Sequence, residues 1–245
     1  MFISKHRRFS QQLGSGVQYL PGHEEPFVDL VINGYLPKNG ELLDLGGGGL
    51  RFAIPVALLG RSVIVVDLDP SGLDVRMVVN RMNTNDQTNF DWETLEPLIG
   101  AKVANVLDYL REDELKYSLI CAFRVAHFLR PTEISELFKR SYDALENRGR
   151  FVLSAMTPYN LPGDIEFNEV FDNSRPVSEN APLYREFLDR PAAAGVRKQQ
   201  NLSRRVHLLD SSAVADFADE AGFAVVVDGF KATRIVSGFI LEKRP

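Results

Sequence analysis

Short, nearly continuous apolar runs recur along the chain at 41–45, 62–67, 102–106, 117–122 and 150–155, and between them apolar residues return every three or four positions. Runs of this length and β-branched content predict strands, and the intervening period predicts helices. A strand with one face in water alternates apolar with polar residues. These runs barely alternate, so both faces need cover, as in a parallel sheet flanked by crossover helices. Pro131 opens a segment in which Ile134, Leu137, Phe138, Tyr142 and Leu145 share one helical face, and Asn147, Arg148 and Gly149 close it. Asp210 stands as an N-cap before Val214, Phe217 and Ala218, with Gly222 as the stop. The last two runs, 223–228 and 234–242, are joined by only five residues. That is too few for a crossover helix, so they predict an antiparallel pair.

The pattern therefore predicts an α/β fold: a doubly wound, mostly parallel seven-stranded sheet with a C-terminal antiparallel hairpin. The stretch 156–209 is too long for a simple connection in a compact domain. Punctuated by Pro158, Pro162, Gly163, Pro176 and Pro182, and carrying Tyr159, Phe167, Phe171, Tyr184 and Phe187, it predicts an inserted cap after the fifth strand. Such sheets bind ligands at the carboxyl ends of their strands, which is where the cap belongs. Residues 1–245 then form one domain: an N-terminal arm and helix (1–40), a ligand-binding core (41–155), the cap (156–209), and a closing helix and hairpin (210–245).

Composition narrows the function classes. The 245 residues are 44% hydrophobic and 25% charged, as expected of a globular chain. A net charge of −5 leaves no broad basic surface, which argues against a nucleic-acid partner. The single cysteine, Cys121, rules out an internal disulfide framework, and the basic start at 1–8 is followed by no apolar segment of a secretory leader. The longest apolar stretches, 53–59 and 63–66, fall well short of the roughly 20 residues that span a bilayer. A cytoplasmic protein without a membrane partner is the expectation. His6, His23, His127 and His207 are scattered, and no Cys or carboxylate cluster at ligand spacing accompanies them, so no metal is expected.

The strongest local signal is Asp44-Leu45-Gly46-Gly47-Gly48-Gly49-Leu50, a predicted strand breaking into four glycines before a helix. Glycines there let the chain turn sharply and let a ligand approach the main chain without meeting a Cβ. A dinucleotide fingerprint, Gly-x-Gly-x-x-Gly, would need glycine where Arg51 stands. The other pattern, acidic-x-Gly-x-Gly-x-Gly, is matched by Asp44, Gly46 and Gly48, with Leu50 at the last position. In these residues the chain resembles class I S-adenosylmethionine-dependent methyltransferases, over roughly 41–155 and in the layout of the terminal helix and hairpin. The resemblance implies S-adenosylmethionine as cofactor and S-adenosylhomocysteine as product, with Asp44 helping to hold the ligand's ammonium and Gly46, Gly47 and Gly48 lining it. Asp67 ends the second predicted strand 23 residues after Asp44, where a carboxylate can accept bonds from both ribose hydroxyls. Leu68 follows it, and Asp69 reads as a helix cap ahead of Pro70.

At the end of the third strand the family commonly carries an acidic residue that receives the adenine amino group. Asn105 holds that place here, followed by Val106, with Asp108 as the rival. The segment 116–129 resembles the family's fourth strand, which implies cofactor contacts from Ala122 and Phe123. Ser118 stands where the family usually has Asp, and no Asn/Asp-Pro-Pro-aromatic sequence follows, as it does in enzymes that methylate nitrogens of bases or Gln. His127 is either a base that removes an acceptor proton or a packing residue beside the ligand. The arm at 19–27 brings Tyr19 to where related enzymes close over the cofactor, unless it is only a loop that starts a helix. Arg190, Arg197, Lys198, Arg204 and Arg205 lie in a cap stretch without Asp or Glu, which either steers an anionic substrate or is a solvated face. The expected function is methyl transfer to an O or N atom of a small molecule. A protein acceptor and a non-catalytic S-adenosylmethionine-binding partner protein are the alternatives. Arg51, Asp44 and the terminal hairpin argue against an NAD-dependent oxidoreductase.

Overall fold

The computed structural model describes residues 25–86, 88–157, 209–231 and 236–245. Most of the expected cap, with its basic block, and the arm with Tyr19 lie outside them. In chain order the described elements are α1 (Glu25–Leu30), β1 (Glu41–Leu45), α2 (Ala53–Leu58), β2 (Val63–Asp67), α3 (Val75–Asp86), α4 (Trp92–Leu95), β3 (Ile99–Val103), α5 (Val106–Glu112), β4 (Tyr117–Phe123), α6 (Pro131–Ala144), β5 (Leu145–Met156), α7 (Ser211–Ala221), β6 (Phe223–Lys231) and β7 (Val236–Lys243). A π-helical turn at Val31–Tyr35 continues α1, and short 3-10 turns lie at Pro70–Gly72, Glu96–Leu98 and Ala126–Phe128.

The seven strands form one sheet in the order β3-β2-β1-β4-β5-β7-β6. The first five pair in parallel, while β7 runs antiparallel to both β5 and β6. The predicted architecture is therefore present, including the closing hairpin. Continuous apolar runs are explained by the two cores they serve. Leu42, Val63, Val65, Leu119, Cys121, Val152 and Ile240 face a core built with α1, α2 and α3. Leu43, Leu45, Val66, Ile120, Phe151, Leu153 and Phe239 face the other, built with α5, α6 and α7. Alternate residues of each strand point to opposite faces, so a strand covered on both sides is apolar throughout. Each fully buried Leu, Val or Phe contributes roughly 1.5–3 kcal/mol.

Some boundaries differ from the pattern. The third strand, expected at 102–106, ends at Val103, because the Asn105 side chain accepts the amide N–H groups of Leu107 (2.9 Å) and Asp108 (3.4 Å) and so starts α5. The helix expected to close at Asn147–Gly149 ends at Ala144, since Leu145 already pairs with Tyr117 in the sheet. Strand β6 runs past the expected 228 to Lys231. The cap signal at Asp210 holds: its buried Oδ1 accepts the Ala213 amide at 2.8 Å, and Gly222 closes α7 in the left-handed region at φ 97°. Asp210→Ala should lower stability by about 1 kcal/mol in urea unfolding. An unchanged midpoint would show that the cap contributes nothing.

Candidate functional site

The strand order reverses between β1 and β4, and open α/β sheets bind their ligands outside the carboxyl ends of the strands at such a reversal. The glycine loop leaves β1 there. Gly46 takes φ +68°, and a Cβ on it would collide with Cγ2 of Val125, just beyond β4. Gly47 lies so close to the Asp44 carboxylate and Val65 that a side chain has no room, and a Cβ on Gly48 would stand 2.7 Å from Asp67 Oδ2. The loop is also tied down through its amides: Gly46 donates to Val66 O (2.6 Å), Gly48 to Asp67 Oδ2 (2.9 Å) and Gly49 to Gly72 O (3.0 Å).

Two carboxylates meet this loop, and their surroundings differ. Asp67, partly exposed at the end of β2, accepts the Gly48 N–H on one oxygen and the Asp69 N–H (2.8 Å) on the other. An ionised carboxylate has about four acceptor positions, so two remain for hydroxyl donors. Asp44 is 1% exposed, and its Oδ1 has no hydrogen-bond partner among the described residues. Burial, and secondarily the negative charge of Asp67, push its pKa up to about 8, against a lowering by Arg51. A buried carboxylate is costly unless a cation or donor satisfies it. A positive group or a hydrogen-bond donor brought to Asp44 would offset that cost. The side chains missing from Gly46, Gly47 and Gly48 are what let the loop pack against Val125, Asp44, Val65 and Asp67.

The other predicted residues fall around the same strand ends. Leu68, 68% exposed beyond β2, presents an apolar side chain to solvent. Asn105 caps α5, so its side-chain oxygen is occupied by two backbone amides and only its amide nitrogen is left to donate toward a base. Val106, the first residue of α5, is nearly buried, and Ala122 is wholly buried in β4. Phe123 ends β4 partly exposed, set edge-on against Phe27 of α1 (centroids 6.1 Å, 81°) and tilted on Phe52 (5.7 Å). Ser118 lies at the opposite end of β4, where its hydroxyl donates to Glu41 O at 3.0 Å, away from the glycine loop.

His127 sits in the 3-10 turn after β4, fully buried, its ring 4.1 Å from that of Phe128. Neither ring nitrogen has a hydrogen-bond partner among the described residues. Burial, with a smaller contribution from the Arg124 charge, lowers its pKa to about 3. Nearby, Arg124 holds φ +58°, and its N–H donates to both Ser154 O (2.9 Å) and Ser154 Oγ (3.1 Å). In the loop after β2, sequence reasoning picked out Leu68 and Asp69 but passed over Gly72. Gly72 there bonds to Gly49, and nothing in its local sequence marks it beyond a turn.

Comparison with known proteins bears on this geometry. The chain matches no protein-family profile. It is 24% identical over 165 residues to carboxy-S-adenosyl-L-methionine synthase of Nautilia profundicola, a match covering 62% of each chain and thus less than two thirds of that enzyme. Magnesium protoporphyrin IX methyltransferase from Synechocystis, crystallised with S-adenosylhomocysteine, superposes with a TM-score of 0.55 at 15% identity over 89% of this chain and 80% of that one. The 1,6-didemethyltoxoflavin-N1-methyltransferase of Burkholderia thailandensis, with bound 1,6-didemethyltoxoflavin and S-adenosylhomocysteine, does so at 0.57 and 14% identity over 91% and 79%. The fold is the one shared by class I S-adenosylmethionine-dependent methyltransferases.

Proposed function

We propose that this chain binds S-adenosylmethionine across the ends of β1, β2 and β4 and transfers its methyl group to an O or N atom of a small-molecule acceptor. The observation that carries the reading is the buried Asp44 carboxylate, without a partner for Oδ1 among the described residues, beneath a glycine loop that Asp67 ties to the next strand. A nicotinamide dinucleotide brings no ammonium group to meet Asp44. The ammonium and ribose of S-adenosylmethionine use both carboxylates. Leu68 offers an apolar surface for the adenine, and the backbone at Asn105 and Val106 lies at the same end of the sheet. Support also comes from the shared fold and from solved methyltransferases of that fold holding S-adenosylhomocysteine.

The cofactor's sulfonium already activates its methyl carbon, so the protein's own task is positioning. The rigid ends of β1 and β4 hold the cofactor, and Phe123, fixed by Phe27 and Phe52, walls the side where β4 ends. Alignment of acceptor, methyl and sulfur with exclusion of water supplies most of the rate. The expected cap would admit the acceptor and close over it, and a cytoplasmic location fits the reading. Among the described residues no helix is long and apolar enough to cross a membrane.

Calorimetry tests the reading directly. S-adenosylmethionine and S-adenosylhomocysteine should bind, and NAD and NADP should not; the reverse preference would sink it. Asp67→Ala removes acceptors for two hydroxyls and one of the Gly48 contacts. Hydrogen bonds to a charged group contribute about 1.5–3 kcal/mol each before water compensates, so affinity should fall at least tenfold. An unchanged dissociation constant would mean that the ribose is held elsewhere.

A further inference from the structure

We propose that Gly72 is a positioning residue for the cofactor: its bare Cα and its carbonyl form the second wall against which the glycine loop takes its ligand-binding shape. The inference rests on the reading that this loop holds S-adenosylmethionine. Gly72 is buried at the end of the Pro70–Gly72 turn, between β2 and α3. Its carbonyl accepts the Gly49 N–H at 3.0 Å. A Cβ on Gly72 would stand 2.9 Å from Gly49 N, 3.0 Å from Gly48 Cα and 3.2 Å from Gly48 C. All three are main-chain atoms, so no side-chain rotation relieves the collision. Either the turn or the glycine loop has to move.

The turn is poorly placed to yield. Asp69 accepts the Ser71 N–H (2.9 Å) and the Ser71 hydroxyl (2.7 Å), while Leu73 N donates to Pro70 O (3.1 Å). Asp69 N in turn donates to Asp67 Oδ1, and the other oxygen of Asp67 holds Gly48. The two loops are thus joined twice, through Gly48 to Asp67 and through Gly49 to Gly72. The short turn after β2 sets how the loop amides stand relative to the Asp67 carboxylate. Binding constellations need their groups within about 0.5 Å of the productive arrangement, so a displacement of that size is felt by the ligand.

Gly72→Ala, Asp69→Ala and Gly34→Ala, each titrated with S-adenosylhomocysteine by calorimetry beside the wild type, decide the matter. Gly34 is the control, because nothing lies within 4 Å of where its Cβ would be. Gly72→Ala should raise the dissociation constant at least tenfold, Asp69→Ala several-fold by loosening the turn, and Gly34→Ala not at all. In ¹H–¹⁵N spectra without ligand, the Gly48 and Gly49 amides should shift in Gly72→Ala while those of Gly100 and Gly149 stay in place. General destabilisation would not select those two signals. Gly72→Ala binding with the wild-type constant overturns the proposal. If that variant does not fold, Asp69→Ala with wild-type affinity overturns it instead. A wild type that binds no S-adenosylhomocysteine overturns the functional reading itself, and that arm is read separately.

Discussion

Asp44→Asn should make the unliganded protein more stable at alkaline pH while weakening cofactor binding by on the order of 100-fold. Both effects come from the same buried carboxyl. Its pKa is raised from the ordinary 3.8 to about 8 in the folded chain. Between those values the folded state keeps a proton that the unfolded state has released, so stability falls as pH rises from about 4 to about 8 and is flat beyond. The span corresponds to a loss on the order of 5 kcal/mol. Asn carries no such dependence, so the variant should match the wild type near pH 4 and exceed it at pH 8.5. Urea unfolding at the two values measures the difference, and a gap that does not widen with pH would contradict the origin assigned to it.

For the ligand the sign reverses. A cationic ammonium favours the ionised carboxylate, so cofactor binding near pH 7 should expel the Asp44 proton. Affinity should climb with pH until the ligand's own amine, ordinarily near 8, begins to lose its charge. Calorimetry in buffers of different ionisation enthalpy counts that proton, and Asp44→Asn should abolish the release along with most of the affinity. Retained affinity would leave the ammonium without its proposed counter-charge. A residue that costs the empty protein this much stability is expected where a bound group later uses it, the usual conflict between a stable fold and a prepared site.

The strand pattern reveals the sheet because burial on both faces writes itself as apolar runs, and the loop chemistry of Asp44 to Gly49 is local enough to read. The failures are of two physical kinds. Around 103–107 one apolar run spans a strand end and a helix start, with Val103 on the strand and Val106 and Leu107 on the helix. Only Asn105, as a cap, divides them, and taking it for a strand end shifted β3 by three residues. Leu145 likewise fits the helical spacing of α6 yet is the first residue of β5. The second kind is tertiary. That Gly48 is bonded to Asp67 and that Gly72 has no room for a Cβ depend on two loops meeting, and spacing within either loop carries no trace of it. The burial of His127 belongs here too, since a lone histidine after a strand carries no sign of what surrounds its ring.

His127→Leu should leave turnover within a few fold of wild type and remove an acid-sensitive element from the fold. A general base works best with a pKa near the working pH, and burial holds this imidazole near 3, where it takes a proton poorly at neutral pH. The folded pKa lies below the ordinary 6.5, so the unfolded state binds the extra proton first. The wild type should therefore lose stability as pH falls from about 6.5 toward 3, on the order of 4 kcal/mol in all, and above 6.5 the group should contribute no pH dependence. Leucine fills similar space without a titrating nitrogen, so the variant should resist acid better and behave alike at pH 7.5. His127→Ala, by contrast, should cost a few kcal/mol at every pH through the cavity it leaves. Acid unfolding followed by circular dichroism separates the three proteins. A base role predicts something else: a folded His127→Leu with normal cofactor affinity and turnover lowered by about 100-fold or more. Observing that with an identified acceptor would overturn the packing assignment, whereas an acidic limb near pH 6.5 that persists in the variant would belong to another group.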